Sequence, residues 1–176
     1  MTTLQTLLTD PSTAGVWNLV PARSSVRFKN KTLWGLASVK GEFTDVSGDG
    51  QITAKGAVFG KVDIRAASLR TGIGKRDEHL RSPDFFDVEK YPEISVVVTD
   101  VTATGERTAD LRAELTVRGT THPLPLSATV EGVGQGNVRI SAQTTVDRTA
   151  FGVSGNMVGM LPATTTLIAD LVFTKA

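Results

Sequence analysis

Between Leu111 and Arg118 every second residue is apolar: Leu111, Ala113, Leu115 and Val117 alternate with Arg112, Glu114, Thr116 and Arg118. The same alternation sets Val26 and Phe28 against Arg27 and Lys29, and puts Leu124, Leu126, Ala128 and Val130 on one face. Further on, Val138, Ile140, Ala142 and Val146 take one face, with Arg139, Ser141, Gln143 and Thr145 on the other. Side chains of a strand point alternately to its two faces, so this period marks strands with one dry face and one wet face. Such half-buried strands belong to antiparallel sheets. Strands are expected at 15–20, 24–30, 36–45, 49–66, 93–103, 110–118, 123–132, 137–147 and 164–174. Ser47-Gly48-Asp49-Gly50, Arg118-Gly119-Thr120-Thr121 and the stretch from Gly132 to Asn137 read as hairpin turns. Eight or nine antiparallel strands in one domain make a barrel or a sandwich, so the chain is all-β. Residues 1–14 read as an N-terminal arm, either loose or a short helix packed on a neighbour, and 15–176 as the domain.

The 176 residues suffice for one domain with a real core. A formal charge of +1, with no block of like charges, gives no electrostatic case for nucleic acid. The absence of cysteine removes disulfides, thiolate metal sites and a cysteine nucleophile. No window of about eighteen apolar residues is present, so no membrane-spanning helix is expected. The opening MTTLQTLLTDPSTAG has no basic stretch, and its apolar part, Leu4, Leu7 and Leu8, is short for an export signal; the cytoplasm is the expected location.

One stretch breaks the strand pattern: TGIGKRDEHLRSPDFFDVEKYPEIS, Thr71 to Ser95. Ser82-Pro83 reads as a helix start, with serine as cap and proline at the first helical position, and Asp84 would favour a helix N-terminus. A short helical insertion is therefore expected around 75–90, over a barrel mouth or end. His79, one of two histidines in the chain, stands beside Asp77 and Glu78 and could serve as a general base. Equally, Arg76, Asp77, Glu78 and His79 fall within one helical turn, where charges pair and cap.

Other motifs fail on inspection. Gly152-Val153-Ser154-Gly155-Asn156 has asparagine where a nucleophile elbow needs glycine, and no helical pattern follows. Gly72-Ile73-Gly74-Lys75 lacks the first glycine of a phosphate loop, and Arg76 follows its lysine. Gly132-Val133-Gly134-Gln135-Gly136 has the wrong spacing for a dinucleotide site. His79 and His122 have no companions at metal-ligand spacing. Asn30-Lys31-Thr32 fits a glycosylation acceptor, a match without meaning unless the chain is exported.

Several short blocks taken in order resemble the YceI-like family, a lipid-binding family named for polyisoprenoids. Ser25-Val26-Arg27-Phe28 is similar to its Ser-x-Val-x-Phe strand, and Val39-Lys40-Gly41-Glu42-Phe43 to its Val-x-Gly-x-Phe. The most specific block runs through Ala67-Ser68-Leu69-Arg70-Thr71-Gly72, Arg76 to Ser82, Asp84-Phe85-Phe86-Asp87 and Tyr91-Pro92. Leu115-Thr116-Val117-Arg118-Gly119 and Asp147-Arg148 with Phe151-Gly152 complete the series. The resemblance spans Trp17 to nearly the C-terminus. It implies an extended lipocalin-like antiparallel barrel of about eight strands, an apolar cavity for a polyprenyl or similar tail, and often a homodimer. Ala22-Arg23 departs from the pattern, standing where members often carry an acidic residue and a histidine.

An eight-stranded barrel is about the smallest that can hold a ligand inside. Parity names the residues that would line it: Val26, Phe28, Phe43, Val62, Ile64, Val96, Val98, Leu115, Leu126, Ile140 and Leu171, with Phe85 and Phe86 of the insertion as a lid. Parity alone leaves open whether this tube is hollow or filled. Arg76, Asp77, His79 and Arg81, with Lys75, are the expected rim, where a phosphate or quinone headgroup would be met. The expected function is a non-catalytic carrier of an isoprenoid-type lipid that uses no metal or other cofactor. An enzyme with His79 as base and a structural barrel with a solid core are the alternatives.

Overall fold

The computed structural model describes residues 3–31, 38–154 and 163–176. The strands are β1 (Gly15–Leu19), β2 (Ser25–Lys31), β3 (Ser38–Phe43), β4 (Val46–Ile52), β5 (Val58–Arg65), β6 (Leu69–Arg70), β7 (Glu93–Ala103), β8 (Thr108–Val117), β9 (Thr120–Pro123), β10 (Leu126–Gly132), β11 (Val138–Asp147) and β12 (Thr164–Lys175). Two helices, α1 (Leu4–Thr9) and α2 (Gly74–Arg81), and a few single 3₁₀ turns complete the described chain. Antiparallel pairing runs β1-β4-β5-β7-β8-β10-β11-β12 and returns to β1 through Trp17↔Lys175, Asn18↔Thr174 and Leu19↔Phe173. This closes an eight-stranded barrel with β2, β3, β6 and β9 outside the ring.

The long β12 pairs with β11 along one edge and divides its other edge between two strands. Its C-terminal part pairs with β1, and Thr166 to Asp170 pairs with β2. Between β1 and β2 the chain turns a corner at Pro21–Arg23, where a residue without an N–H fits an unpaired position. Val20 N donates to Val172 O at 2.7 Å, and Val172 N donates to Ser24 Oγ at 3.0 Å, so the corner stays stitched to β12. The departure Ala22-Arg23 sits on this exposed corner.

Four expectations needed correction. Ser47 to Gly50 is not a turn but the middle of β4, in register with β5 through Gly48↔Val62 and Gly50↔Gly60. A Cβ on Gly48 would stand 2.6 Å from the Lys61 carbonyl oxygen, so glycine is there for close strand approach. The turn lies instead at Thr53 to Ala57 and divides the expected 49–66 strand in two. Gly56 there has φ +82°, and Ala57 N donates to Thr53 Oγ1 at 3.0 Å. The expected 123–132 strand begins only at Leu126, because β9 ends at Pro123 and Pro125 follows. Ser82 ends a helix instead of starting one. Proline pushes the preceding residue out of the helical region, and Ser82 is extended at φ −74°, ψ 168°. The insertion is thus α2 followed by irregular turns through residue 91, with Asp87 at φ +49°.

The arm folds too. Thr3 caps α1, its side chain accepting from Thr6 N at 3.1 Å, and the helix packs on the chain's own barrel. The core has two clusters. One gathers Leu19, Phe28, Phe43, Ile64, Leu69, Leu115 and Phe85 at the α2 end; the other gathers Leu4, Trp17, Ile52, Ala109, Val130 and Val138 at the α1 end.

Candidate functional site

Between the two clusters the barrel is hollow. A cavity of about 300 Å³ runs from α1 to the turns after α2. Val26, Phe28, Phe43, Val62, Ile64, Val96, Val98, Leu115, Leu126, Ile140 and Leu171 all line it, as do Phe85 and Phe86. One wall is thin. Gly50 and Gly60 face each other across β4 and β5, and there the lining includes Asp49, Gln51, Phe59 and Lys61 from the neighbouring positions.

The α2 end is closed by aromatic rings held from behind by polar ties. Leu80 and Phe85 are buried, Phe85 to 1 % exposure. Phe28 meets Phe43 at 5.4 Å between centroids, and Phe43 meets Phe86 edge-on at 5.9 Å. The Phe28 ring also occupies the space into which a Gly41 side chain would project, which explains the glycine in Val39-Lys40-Gly41-Glu42-Phe43. Arg118, in the left-handed region at φ +54°, donates through Nη1 to the carbonyls of Phe85 (2.9 Å) and Gly152 (2.8 Å). The tight β8–β9 hairpin thereby anchors the turn that carries Phe85.

The four expected rim residues do not line the cavity. They tie α2 to the chain beneath it. Asp77, buried, accepts from Thr71 N at 2.9 Å and from Thr71 Oγ1 at 2.5 Å. Arg76 brackets the same threonine, with Nε on Oγ1 at 2.8 Å and Nη2 on the carbonyl at 2.7 Å. Arg81 donates to the carbonyls of Ala67 (3.0 Å) and Leu69 (2.7 Å). His79 Nε2 lies 3.2 Å from Asp84 Oδ2, and its ring meets Phe85 edge-on at 5.0 Å. Lys75 is exposed.

Sequence reasoning missed Arg148, a buried cation that reaches the lumen. Arg148 lines the cavity, donates to Val153 O at 2.6 Å, and stands 5.9 Å from the Phe85 ring centre. Burial pushes its guanidinium pKa down, and Asp147 pulls against that shift. Asp147 caps the 3₁₀ turn Arg148–Phe151 and is held below the usual carboxylate range by the Thr149 hydroxyl and then the Thr149 N–H, which donate to it. The signal lay in Asp147-Arg148-x-x-Phe151-Gly152, since Phe151 also lines the cavity. Asn30, Thr144 and Thr165 join Arg148 at this end. Thr165 pairs with Val146, Asn30 Nδ2 donates to Thr164 O at 3.3 Å, and Arg148 N donates to Ala163 O at 2.9 Å. Asn30 is therefore an internal amide, poorly placed for glycosylation; Thr32 of that motif lies outside the described residues, as do Gly155 and Asn156 of the serine loop.

The opposite end is apolar. Leu4, Leu7, Leu8 and Trp17 close it, and the i, i+3, i+4 spacing of the leucines was the available signal. His122 lies outside the lumen, its Nε2 3.0 Å from Ala150 O and its ring edge-on to Phe151. Among the described residues no cluster of His, Asp or Glu is arranged to hold a metal ion, and no helix is long and apolar enough to cross a membrane.

The fold is a closed antiparallel barrel around a largely apolar lumen, with Arg148 beside the aromatic closure at the α2 end and leucines at the α1 end. Comparison with known proteins makes this specific. The family model of the YceI-like domain matches residues 17–173, and the chain belongs to that family. A UPF0312 protein of Pseudomonas putida (strain GB-1) is 38% identical over 128 residues, covering 69% of this chain and 67% of its own. A UPF0312 protein of Pseudomonas syringae pv. tomato is 36% identical over 146 residues, covering 79% and 74%. Among solved structures, BcnA of Burkholderia cenocepacia matches with TM-score 0.80 at 21% identity, covering 88% of this chain and 98% of that one. A polyisoprenoid binding domain from Saccharophagus degradans matches with TM-score 0.76 at 17% identity, covering 91% and 98%. At these identities the structural likeness shows the fold.

Proposed function

We propose that the protein is a non-catalytic carrier that holds an isoprenoid-type amphiphile, tail in the barrel and headgroup toward Arg148. The observation that carries this reading is the polarity of the lumen along its length. Asn30, Thr144, Thr165 and Arg148 gather at one end and leucines at the other, while Asp49, Gln51 and Lys61 enter the lining at the thin β4–β5 wall. An amphiphile has the same polarity. Each buried methylene-sized group contributes roughly 0.8 kcal/mol, and the loss of tail flexibility offsets part of that gain. The solved polyisoprenoid binding domain of the same fold supports the isoprenoid class over other tails.

In this reading Arg76, Asp77, His79 and Arg81 serve the ligand indirectly, by holding α2 and Phe85 in place. The geometry favours that role over direct headgroup contact, since both guanidinium groups already meet backbone carbonyls. The test is native mass spectrometry of the purified protein followed by organic extraction. One lipid per chain, with a polar head and an isoprenoid tail, is the expected result, and the native mass also counts subunits. A clean apo mass, with no thermal shift on adding polyprenols, quinones or fatty acids, would sink the proposal.

A further inference from the structure

The barrel supplies only Trp17 of β1 to the end wall of the cavity beneath α1. The rest is Leu4, Leu7 and Leu8, one face of a six-residue helix. A helix this short is unstable alone in water, so its order comes from docking. The docking is specific. Leu4 is 4 % exposed and its N–H donates to Glu106 O at 2.7 Å. Trp17 Nε1 donates to Thr13 O at 2.9 Å, and Thr13 Oγ1 donates to Leu7 O at 2.5 Å. At Gly56 a Cβ would stand 2.9 Å from Leu8 O, so the β4–β5 turn is shaped to receive the helix. Residues 3–13 also lie outside the span 17–173 that matches the family model. The family model thus matches the barrel and stops short of α1.

We infer that the leucine face of α1 is the stop that sets the longest tail the cavity accepts. The inference rests on the carrier reading and adds the determinant of chain length to it. A tail bound with its head toward Arg148 runs along the lumen until its last carbons meet Leu4, Leu7 and Leu8. Shortening these side chains extends the tube along its axis, and enlarging one shortens it. Residues on the barrel strands change the width of the lumen instead.

The experiment measures binding of farnesol, geranylgeraniol and solanesol to the intact chain and to two variants. The readouts are displacement of a fluorescent polyene and native mass spectrometry. In Leu4→Ala/Leu7→Ala the longest alcohol that binds shifts to the next longer one, its affinity rising about tenfold while that of the shortest changes little. In Leu7→Trp the preference moves the other way, and this half-buried position tolerates the larger ring without depending on the fate of the double variant. Thermal unfolding confirms that each variant is folded. An unchanged rank order in both variants, or an equal loss for all three alcohols, overturns the stop and leaves the carrier reading standing. No binding of any alcohol by the intact chain overturns both.

Discussion

The two ends of the barrel are closed by short helices that work in opposite ways. α1 is docked by its side chains: an apolar face turned into the lumen, with few hydrogen bonds to the strands. α2 is docked by its charges. Its sequence GKRDEHLR buries only Asp77 and Leu80, and the rings that reach the lumen come from the turn behind it. There the apolar work is delegated to Phe85 and Phe86, and Arg76, Asp77 and Arg81 fix the platform that presents them. The lesson is that a dense cluster of arginine, aspartate and histidine can be a mounting bracket. Such groups resemble an active site because both need rigid, convergent polar side chains.

This contrast predicts where each end will fail. The largest effect belongs to Phe85→Ala, which empties a fully buried site and should destabilise by about 3–5 kcal/mol, read by denaturant unfolding. A loss below about 1 kcal/mol would mean that Phe85 is not the plug. Next is Asp77→Ala, which strands the Thr71 N–H and hydroxyl; about 2 kcal/mol is expected. Hydrogen exchange should localise that loss to residues 67–91 and spare the α1 end. If α1 opens as well, the ends are coupled and the contrast is wrong. At the other end Thr3→Ala removes the cap of α1 for about 1 kcal/mol, seen as faster exchange in residues 4–9 with global stability unchanged.

Much of the barrel was legible because strand parity is local. Val62, Ile64, Val96, Leu115, Ile140 and Leu171 face the lumen for the reason that alternate residues always share a face. What escaped depended on partners distant in sequence. The register slips between Val98 and Asp100, so that Val98 and then Val101 line the cavity, a change of parity that no reading of β7 alone reveals. Ser47 to Gly50 has the composition of a turn, yet the approach of Lys61 makes its glycines strand residues. The Ser82 hydroxyl suits a helix start, but Pro83 holds Ser82 out of the helical region, so α2 ends there. Arg148 was visible as part of a motif, but its inward direction follows from the 3₁₀ turn that Asp147 caps.

The smallest expected effect is one that both ends share, and it sharpens the contrast by showing what does not differ. At the α1 end Asp10 accepts from the backbone N–H and then the hydroxyl of Ser12, and its pKa lies below the ordinary value of 3.8. At the α2 end Asp147 is lowered in the same way by Thr149. A carboxyl whose folded pKa is depressed contributes stability that is fully present above its unfolded pKa and is lost as pH falls through the folded one. Both caps should therefore hold at neutral pH and release only as pH falls below the ordinary carboxylate range. Both groups are exposed to solvent, so the effect is local. Carboxyl titration by NMR checks it: Ser12→Ala should raise only the Asp10 midpoint, and Thr149→Val only that of Asp147. Movement of the far midpoint in either variant would show that the ends communicate through the barrel, which neither docking mode requires.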